Sequence, residues 1–417
     1  MPKRLIAIFL VIVAVLCLII VPKVVDKDDT TDDTNNSSVV DTSDDDVISD
    51  NVDSNDDSTA DDSSKEEVSV PDTVIPDDSS NDESSVADES SSDDSSTDDS
   101  TADNSSSDAD SSVSDDTPAE PRNTPVSYHG EMIAQGNKLV GEKTGEVVRV
   151  TGMSFFWSNW SQKYYTADYV DYLVDEYGCE VVRCSYGIQD NGQPHDRSCE
   201  ALIENVIDRA IERGVYVIVD WHSHGAHNNT NEAVQYFEKL AQKYGEYDNI
   251  IFEVFNEPTQ VSWSTVKTYS ETVIDAIRKY SDNLVIVGSP QWSQKVEDAA
   301  ANPVDDENVA YTLHFYAGTH KEWLRQSADR AMAAGIPIFV TEWGSVNADG
   351  NGAISKQSTE EWFAWMDKNN ISSCNWAVND KNEGSSIFSQ DKTLSETGYY
   401  IKDLIWERTK NAPWRNA

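Results

Sequence analysis

Eight short runs of apolar and β-branched residues alternate with amphipathic stretches between residues 147 and 406. Apolar character that continues through each run is typical of parallel strands buried on both faces. Eight strand–helix units over about 250 residues match an α/β fold of the closed (β/α)8 TIM-barrel type better than an open sheet. Because no glycine-rich phosphate loop follows any run, the pattern argues against a nucleotide-binding Rossmann fold. The predicted strands are Val147–Thr151, Val181–Cys184, Val215–Asp220, Ile250–Phe255, Leu284–Val287, Val309–Phe315, Ile338–Thr341 and Ser373–Trp376.

The stretches between these runs have helical periodicity, and a glycine directly follows four of them. Glycine commonly ends a helix, so these positions mark boundaries. Ahead of the first unit, Tyr128–Glu146 is predicted to form a small hairpin that plugs the floor of the barrel. The predicted helices are Thr166–Tyr177, Cys199–Arg213, Asn231–Tyr244, Ser264–Tyr280, Gln294–Ala301, Lys321–Ala334, Thr359–Asn369 and Ser395–Trp406.

Residues 1–25 have the pattern of a membrane signal. Lys3 and Arg4 precede the uncharged apolar run Leu5–Val21, whose 17 residues would reach about 26 Å as a helix. The run ends in bulky residues instead of the small ones that a signal peptidase needs. We therefore expect an uncleaved anchor that leaves the rest of the chain extracellular and tethered to the cell membrane, with a cleaved signal peptide and a secreted protein as the alternative.

Residues 26–124 are predicted to be a disordered linker. Residues 1–125 carry 34 Asp and Glu against 6 Lys and Arg, and Phe9 is the only aromatic residue before Tyr128. A segment so acidic and so poor in apolar groups cannot offset the entropy of ordering. The net charge of the whole chain is -45, which excludes a nucleic-acid partner because phosphate recognition needs clustered cations. Residues 125–417 are left as the folded catalytic domain.

Polar residues stand where the predicted strands stop. Chemistry in this fold is located at the carboxyl ends of the strands, so residues scattered through the chain should meet at one rim. The strand-end residues are Arg183, Asp220, His222, Asn256, Glu257, His314, Tyr316, Glu342 and Trp376.

Glu257 and Glu342, after the fourth and seventh strands, are the candidate catalytic pair. Glycoside hydrolysis needs two carboxyl groups, one that protonates the leaving oxygen and one that attacks the anomeric carbon or activates water. Strands four and seven face each other across a barrel mouth, so both groups can reach one bond. The alternative is that both are ordinary ion-pair carboxylates at the rim.

At these residues the sequence resembles a retaining cellulase of glycoside hydrolase family 5, also called cellulase family A. The motif Asn256-Glu257-Pro258 and the Glu342 that follows Ile338–Thr341 carry the resemblance. It implies that Glu257 is the acid/base, that Glu342 is the nucleophile and that the substrate is a β-1,4-glucan. The remaining residues of the resemblance are Arg183, His222, His314, Tyr316 and Trp376.

The proposed roles lead to expectations about charge and contacts. Glu257 must be protonated near neutral pH, so we expect burial and the neighbouring anion Glu342 to raise its pKa. Arg183 and the Tyr316 hydroxyl should hold Glu342 in place, and Asn256 should bond the sugar 2-hydroxyl.

Further candidate groups concern the substrate and possible metals. His222 and His314 are interpreted as hydrogen-bond partners of sugar hydroxyls or as residues that hold the catalytic groups in place. Since no third ligand follows these two histidines at a suitable spacing, we expect no metal and no cofactor. Trp376 is the expected floor under the scissile sugar.

Two aromatic rings and one charged pair complete the set of candidates. Trp160 and Trp292 are candidate sugar platforms, with core packing as the alternative. Lys381 and Glu383 resemble a subsite pair of the family, with a surface ion pair as the alternative. The four cysteines of the folded part could form disulfides in any of three pairings or stay as buried thiols: Cys179, Cys184, Cys199 and Cys374.

These observations predict a monomeric, extracellular endo-β-1,4-glucanase. Within the same fold, a β-mannanase, a licheninase or a xyloglucanase is the alternative. A non-catalytic polysaccharide-binding protein of the cell surface is an alternative of another class, although a binding protein has no need for two opposed glutamates.

Overall fold

Eight parallel strands close into a barrel in this computed structural model, which describes residues 123–188 and 196–416. Strands that are consecutive in the chain lie side by side, and the last strand pairs with the first. The single (β/α)8 barrel predicted from the sequence is thereby confirmed. The strands of the barrel are β3 Thr151–Phe155, β4 Val181–Gly187, β5 Tyr216–His222, β6 Ile250–Phe255, β7 Val285–Val287, β8 Val309–Tyr316, β9 Ile338–Gly344 and β10 Ser373–Val378.

Helices follow the strands and pack against the outer face of the barrel. Side chains that point outward from the strands form one apolar layer with the inner faces of these helices. The helices are α1 Pro125–His129, α2 Ala167–Tyr172, α3 Glu200–Arg213, α4 Thr230–Tyr244, α5 Trp263–Ile277, α6 Pro290–Ser293, α7 Val296–Ala301, α8 Glu322–Ala333, α9 Lys356–Asn369 and α10 Glu396–Thr409. Shorter turns of 3-10 or π-helix occur at Gln162–Tyr164, Leu173–Tyr177, Arg197–Cys199, Ala226–Asn229 and Pro413–Asn416.

A two-stranded hairpin closes the floor of the barrel, as the sequence predicted. Its strands β1 Met132–Gln135 and β2 Lys138–Gly141 are antiparallel. Met132 and Leu139 are buried in one cluster with apolar residues from the amino-terminal ends of the barrel strands. The Tyr216 hydroxyl donates to the carbonyl of Gly130 at 2.6 Å, which ties the hairpin to β5.

The first barrel strand was predicted wrongly. The sequence placed it at Val147–Thr151, whereas β3 is Thr151–Phe155. Val148 and Val150 are buried under the barrel with the hairpin, and Val147 forms an isolated antiparallel bridge with Val140. Their apolar character therefore comes from the floor of the barrel and not from the sheet.

All four cysteines of the barrel are buried free thiols, which decides between the alternatives that the spacing left open. Within the two described ranges, no helix has the length and apolar character needed to span a bilayer. The predicted anchor in residues 1–25 and nearly all of the linker in residues 26–124 lie outside the described residues.

Candidate active site

The strand-end residues meet at the carboxyl-terminal mouth of the barrel. Four of them, including both candidate glutamates, line a cavity of about 460 Å³. Another cavity of about 560 Å³ at the opposite face, around Glu180 and Trp414, is lined by none of the strand-end residues. The cavity at the mouth is lined by Glu257, Trp292, Gln294, His314, Tyr316, His320, Glu342, Ala348 and Asp349.

Arg183 lies fully buried at the centre of the site and connects four strands. Its guanidinium donates to Glu253 at 2.7 Å, to Asn256 at 2.7 Å and to Glu342 at 3.1 Å, and it pairs with Asp220 at 2.8 Å. Burial of a charge is costly unless every donor has a partner, and here anionic and amide oxygens surround the cation. The network therefore fixes the strand ends relative to one another.

Both oxygens of Glu342 are held by hydrogen bonds. Arg183 Nη1 donates to Oε2 at 3.1 Å, and the Tyr316 hydroxyl donates to Oε1 at 2.8 Å. Burial and the neighbouring Glu342 raise the pKa of Tyr316 well above its usual value, so the phenol stays a donor. Glu342 is thus oriented by two elements, β4 and β8, as the sequence led us to expect.

Glu257 is held by two histidines. His314 Nδ1 lies 2.8 Å from Oε1, and His224 Nε2 lies 3.3 Å from Oε2. Burial raises the pKa of Glu257, but these two hydrogen bonds outweigh it and the net shift is downward. The expected upward shift of the Glu257 pKa was therefore wrong, because the sequence argument included Glu342 and omitted the imidazoles.

His314 and Glu257 form a hydrogen-bonded acid–base pair. Burial lowers the pKa of His314, but the charge of Glu342 and the hydrogen bond to Glu257 raise it overall. On its other side, His314 Nε2 lies 2.9 Å from Thr341 Oγ1, which donates its own proton to Glu253 at 2.7 Å. With its own proton given to Glu253, Thr341 accepts from His314 Nε2–H, which leaves Nδ1 as the ring nitrogen that faces Glu257 Oε1.

The two glutamates are close enough to act on one bond. One oxygen of Glu257, one oxygen of Glu342 and one ring nitrogen of His314 all lie within 4.8 Å of one another. Three such groups have the composition of a possible metal site. The 2.8 Å contact between His314 and Glu257 has, however, the length of a charge-assisted hydrogen bond, and the Arg183 cation already bonds Glu342.

His222 and Trp376 form a stacked pair beside the glutamates. Their ring centroids are 5.2 Å apart with 9° between the planes, and Trp157 packs edge-on against His222 at 4.2 Å. His222 Nδ1 lies 2.6 Å from Asp220 Oδ2. Burial and Arg183 lower the pKa of His222 to about 3, so a neutral ring donates to Asp220 and keeps its other nitrogen for a ligand.

The remaining predicted residues lie further out. Trp160 is 50% exposed and contacts the ring of Trp157 at 5.1 Å, while Trp292 is 48% exposed and lines the cavity that contains the glutamates. Lys381 and Glu383 form an ion pair at 2.6 Å, and the Lys381 ammonium lies 5.6 Å from the ring centre of Phe156. This ion pair therefore lies on the same side of the site as Trp160.

Sequence reasoning missed four groups of the site. Glu253 and Thr341 stand inside strands that otherwise read as apolar, and an acid within Ile250–Phe255 was a usable signal, since a buried charge needs a partner. His224 and His320 stand in loops, where no periodicity marks them. Their contacts with Glu257 and Tyr316 follow from the fold alone.

Proteins similar to this chain include bacterial endoglucanases. Residues 141–382 match the family described as cellulase (glycosyl hydrolase family 5). Endoglucanase Z of Dickeya dadantii is 49% identical over 289 residues, which cover 67% of this chain and 66% of that protein. An endoglucanase of Clostridium saccharobutylicum is 35% identical over 296 residues, with coverage of 67% and 66%. The chain thus spans about two thirds of the length of these curated relatives.

Solved structures agree with this assignment. A structure from Cytophaga hutchinsonii is 41% identical with a TM-score of 0.67, covering 69% of this chain and 98% of that one. The catalytic domain of the Thermobifida fusca endoglucanase Cel5A, solved in complex with cellotetraose, is 30% identical with a TM-score of 0.64 and coverage of 68% and 99%. The similarity therefore covers the barrel with its mouth.

Proposed function

The chain belongs to glycosyl hydrolase family 5, and from this premise we propose that it is an endo-acting β-1,4-glucanase that cleaves cellulose or related β-glucans with retention of configuration. The observation that carries the proposal is the pair of carboxyl groups with oxygens within 4.8 Å at the mouth of the barrel. Retaining enzymes have carboxyl groups about 5–5.5 Å apart, whereas inverting enzymes separate them by about 6.5–9.5 Å. The short distance supports direct attack by one of the two.

Glu342 is the proposed nucleophile and Glu257 the proposed acid/base. Arg183 and Tyr316 hold Glu342 so that its oxygens stay in place for attack on the anomeric carbon. Glu257 protonates the leaving oxygen, and the proton comes from the pair that it forms with His314. After the leaving group departs, Glu257 takes a proton from the water that hydrolyses the glycosyl-enzyme.

Asn256 is the proposed partner of the sugar 2-hydroxyl. Its Oδ1 accepts from Arg183 at 2.7 Å, which directs its amide nitrogen away from the buried network as a donor. A hydrogen bond to the 2-hydroxyl strengthens as the ring approaches the oxocarbenium ion, so it favours the transition state.

Two exposed tryptophans support cleavage of internal bonds. Trp160 contacts Trp157 outside the cavity that holds Glu257 and Glu342, whereas Trp292 lines that cavity. The flat faces of glucose rings stack on such indoles. A glucan chain in contact with both indoles would therefore extend beyond this cavity.

The nucleophile assignment is tested with Glu342→Gln. We expect hydrolysis of a soluble cellulose derivative to fall by several orders of magnitude, because the covalent intermediate cannot form. The control is Glu322→Gln on the exposed turn of α8, which should hydrolyse like the wild type. Proton NMR of the first product should show the β-anomer. Full activity in Glu342→Gln, or the α-anomer first, would refute the mechanism.

The substrate class is tested by product analysis across polysaccharides. We expect the highest kcat/KM on β-1,4-glucans, and a higher value on mannan, mixed-linkage glucan or xyloglucan would replace the proposed substrate. A wild-type protein that binds cellulose but releases no reducing ends would instead support the non-catalytic alternative.

We also propose that the enzyme acts outside the cell while tethered to its membrane. Lys3 and Arg4 ahead of the run Leu5–Val21 support this orientation. Cell fractionation checks it, because an anchored protein stays with the membrane fraction. A mature amino terminus after Val21 in the medium would show secretion instead.

A further inference from the structure

His320 is fixed to Tyr316 by two hydrogen bonds. Its own backbone N–H donates to the carbonyl of Tyr316 at 2.8 Å, and the backbone N–H of Tyr316 donates to His320 Nδ1 at 2.8 Å. Trp362 Nε1 donates to the carbonyl of His320 at 2.9 Å. The same Tyr316 bonds Glu342 through its hydroxyl. The imidazole is therefore as rigidly placed as the proposed nucleophile.

These contacts determine where His320 carries its proton. A backbone N–H can only donate, so Nδ1 accepts and a neutral ring must be protonated at Nε2. Burial lowers the pKa of His320 to about 4, with Glu257 acting to raise it and His314 and Lys321 acting to lower it. The ring thus stays neutral near neutral pH and presents Nε2–H as a permanent donor.

His320 lies on one half of the cleft. It lines the cavity with Glu257, Trp292 and Gln294. Glu257 follows β6, Trp292 and Gln294 follow β7, and His320 itself follows β8. The stacked rings of His222 and Trp376 do not line this cavity. Because Glu257 protonates the leaving oxygen, the half that extends from Glu257 towards Trp292 receives the leaving sugar.

We propose that His320 Nε2–H donates a hydrogen bond to a hydroxyl of the sugar on the leaving-group side, and that it makes His320 a specificity-determining residue for sugar leaving groups and sugar acceptors. The inference rests on the proposed function and deepens it. A second sugar is held between the Trp292 indole and this donor. In the reverse direction, the same contact orients a sugar that attacks the glycosyl-enzyme in place of water.

The test compares two substrates that differ in the leaving group. Cleavage of cellotetraose releases a sugar as the leaving group. Cleavage of para-nitrophenyl β-cellobioside releases nitrophenolate, which has no sugar hydroxyl for His320. In His320→Ala we expect kcat/KM for cellotetraose to fall by about 5- to 10-fold, the equivalent of one neutral hydrogen bond, and kcat/KM for the aryl substrate to stay within about twofold of the wild type. His320→Gln, which keeps a side-chain donor, should recover part of the loss.

Acceptor use gives a second readout. With cellobiose added to the aryl substrate, His320→Ala should form less transglycosylation product per hydrolytic turnover than the wild type. His227→Ala is the matched control, since His227 is a half-buried histidine in a neighbouring loop and does not line this cavity. It should behave like the wild type in both assays.

The outcomes separate this proposal from the proposed function. Equal losses on both substrates would show that His320 acts through the fold of the site, and no loss on cellotetraose would show that it makes no contact. Either result overturns the inference while leaving the glucanase assignment intact. A wild-type protein that hydrolyses neither substrate would overturn the proposed function itself.

Discussion

At the scale of single residues, the site depends on one buried cation. Arg183 faces Asp220, Glu253 and Glu342, three carboxyl groups for one guanidinium. Burial is the main reason that the pKa of Asp220 rises to about 7 and that the pKa of Glu253 also rises, although Arg183 opposes both shifts. Without Arg183 these acids would face one another with no counter-charge in a region that excludes water.

Arg183→Met should destabilise the protein strongly. Removal of one partner from a buried ionic network costs about 3–5 kcal/mol, because the remaining charges stay desolvated. The loss should shrink as the pH falls through about 7, the pKa of Asp220, because removal of the cation raises that pKa further and a protonated acid needs no counter-charge. Urea unfolding at several pH values measures it. Arg209→Met is the control, since Arg209 pairs with Asp171 near the surface and should cost at most about 1 kcal/mol. Equal losses in both variants would contradict the argument.

Tyr316→Phe should reduce kcat with little change in stability. The variant loses the 2.8 Å hydrogen bond to Glu342 Oε1 and keeps the ring. A hydrogen bond to a charged group is worth about 1.5–3 kcal/mol, which corresponds to about 10- to 150-fold in rate if it is needed at the transition state. Steady-state kinetics on a soluble glucan, with thermal unfolding as the control, checks it. An unchanged kcat would show that Arg183 alone positions Glu342.

At the scale of elements, seven of the eight strands were predicted close to where the structure has them. β6 is Ile250–Phe255 as predicted, and β8 extends the prediction by one residue, to Tyr316. These strands are buried on both faces, so burial leaves a direct trace in the sequence. The first strand was wrong because β3 contains Gly152 and Ser154, where the backbone of β4 approaches closely: a Cβ on Gly152 would lie 1.7 Å from the carbonyl oxygen of Val181.

The sequence was enough to predict the main residues of the candidate site, but not the direction of the pKa shift of Glu257. The strand ends supplied Glu257, Glu342 and Arg183, because the barrel topology brings strand ends together. Other residues of the site stand in loops or inside strands, where the strand-end rule does not find them. Residues 291–293 have φ angles of +55° to +57°, a conformation that nothing in Gln-Trp-Ser indicates, and they place Trp292 at the cleft. The direction of the pKa shift of Glu257 depended on His224, which also lies in a loop.

Glu180, which directly precedes β4, should make the stability fall as pH rises. Burial raises its pKa from 4.5 to about 8 against the opposing charges of Arg415, Arg149 and Arg408. The folded state keeps a proton that the unfolded chain releases above pH 4.5, so the free energy of unfolding decreases between about pH 4.5 and 8 and levels off above. The slope is at most about 1.4 kcal/mol per pH unit.

Glu180→Gln should remove this slope. The amide does not titrate, so the variant gains stability relative to the wild type with each step in pH from about 5 to 8. Denaturant unfolding at constant ionic strength measures the difference. Glu407→Gln, at an exposed position of α10, is the control and should run parallel to the wild type. Parallel curves for Glu180→Gln as well would show that Glu180 is ionised in the folded protein.

At the scale of the whole barrel, the interior changes in character from floor to mouth. Side chains at alternate positions of one strand point inward, and along β4 these positions read Val181, Arg183 and Ser185. Val181 belongs to the apolar cluster with Met132 and Leu139 of the hairpin. Arg183 belongs to the ionic network, and Ser185 lies within 3.5 Å of it. The hairpin thus excludes water from the floor side of the ionic network, and the barrel strands exclude it from the sides.

Deletion of the hairpin should therefore unfold the site, whereas deletion of residues 1–122 should not affect it. A chain that begins at residue 123 retains Met132 and Leu139 and should keep the kcat and melting temperature of the full chain on a soluble glucan. A chain that begins at residue 142 exposes the apolar floor and loses the hydrogen bond between Tyr216 and Gly130. It should melt at a clearly lower temperature or fail to fold. Calorimetry and kinetics of the three chains test both expectations together. If the chain from residue 142 matched the full chain, the floor would close without the hairpin, and if the chain from residue 123 lost kcat, the acidic segment would take part in the chemistry.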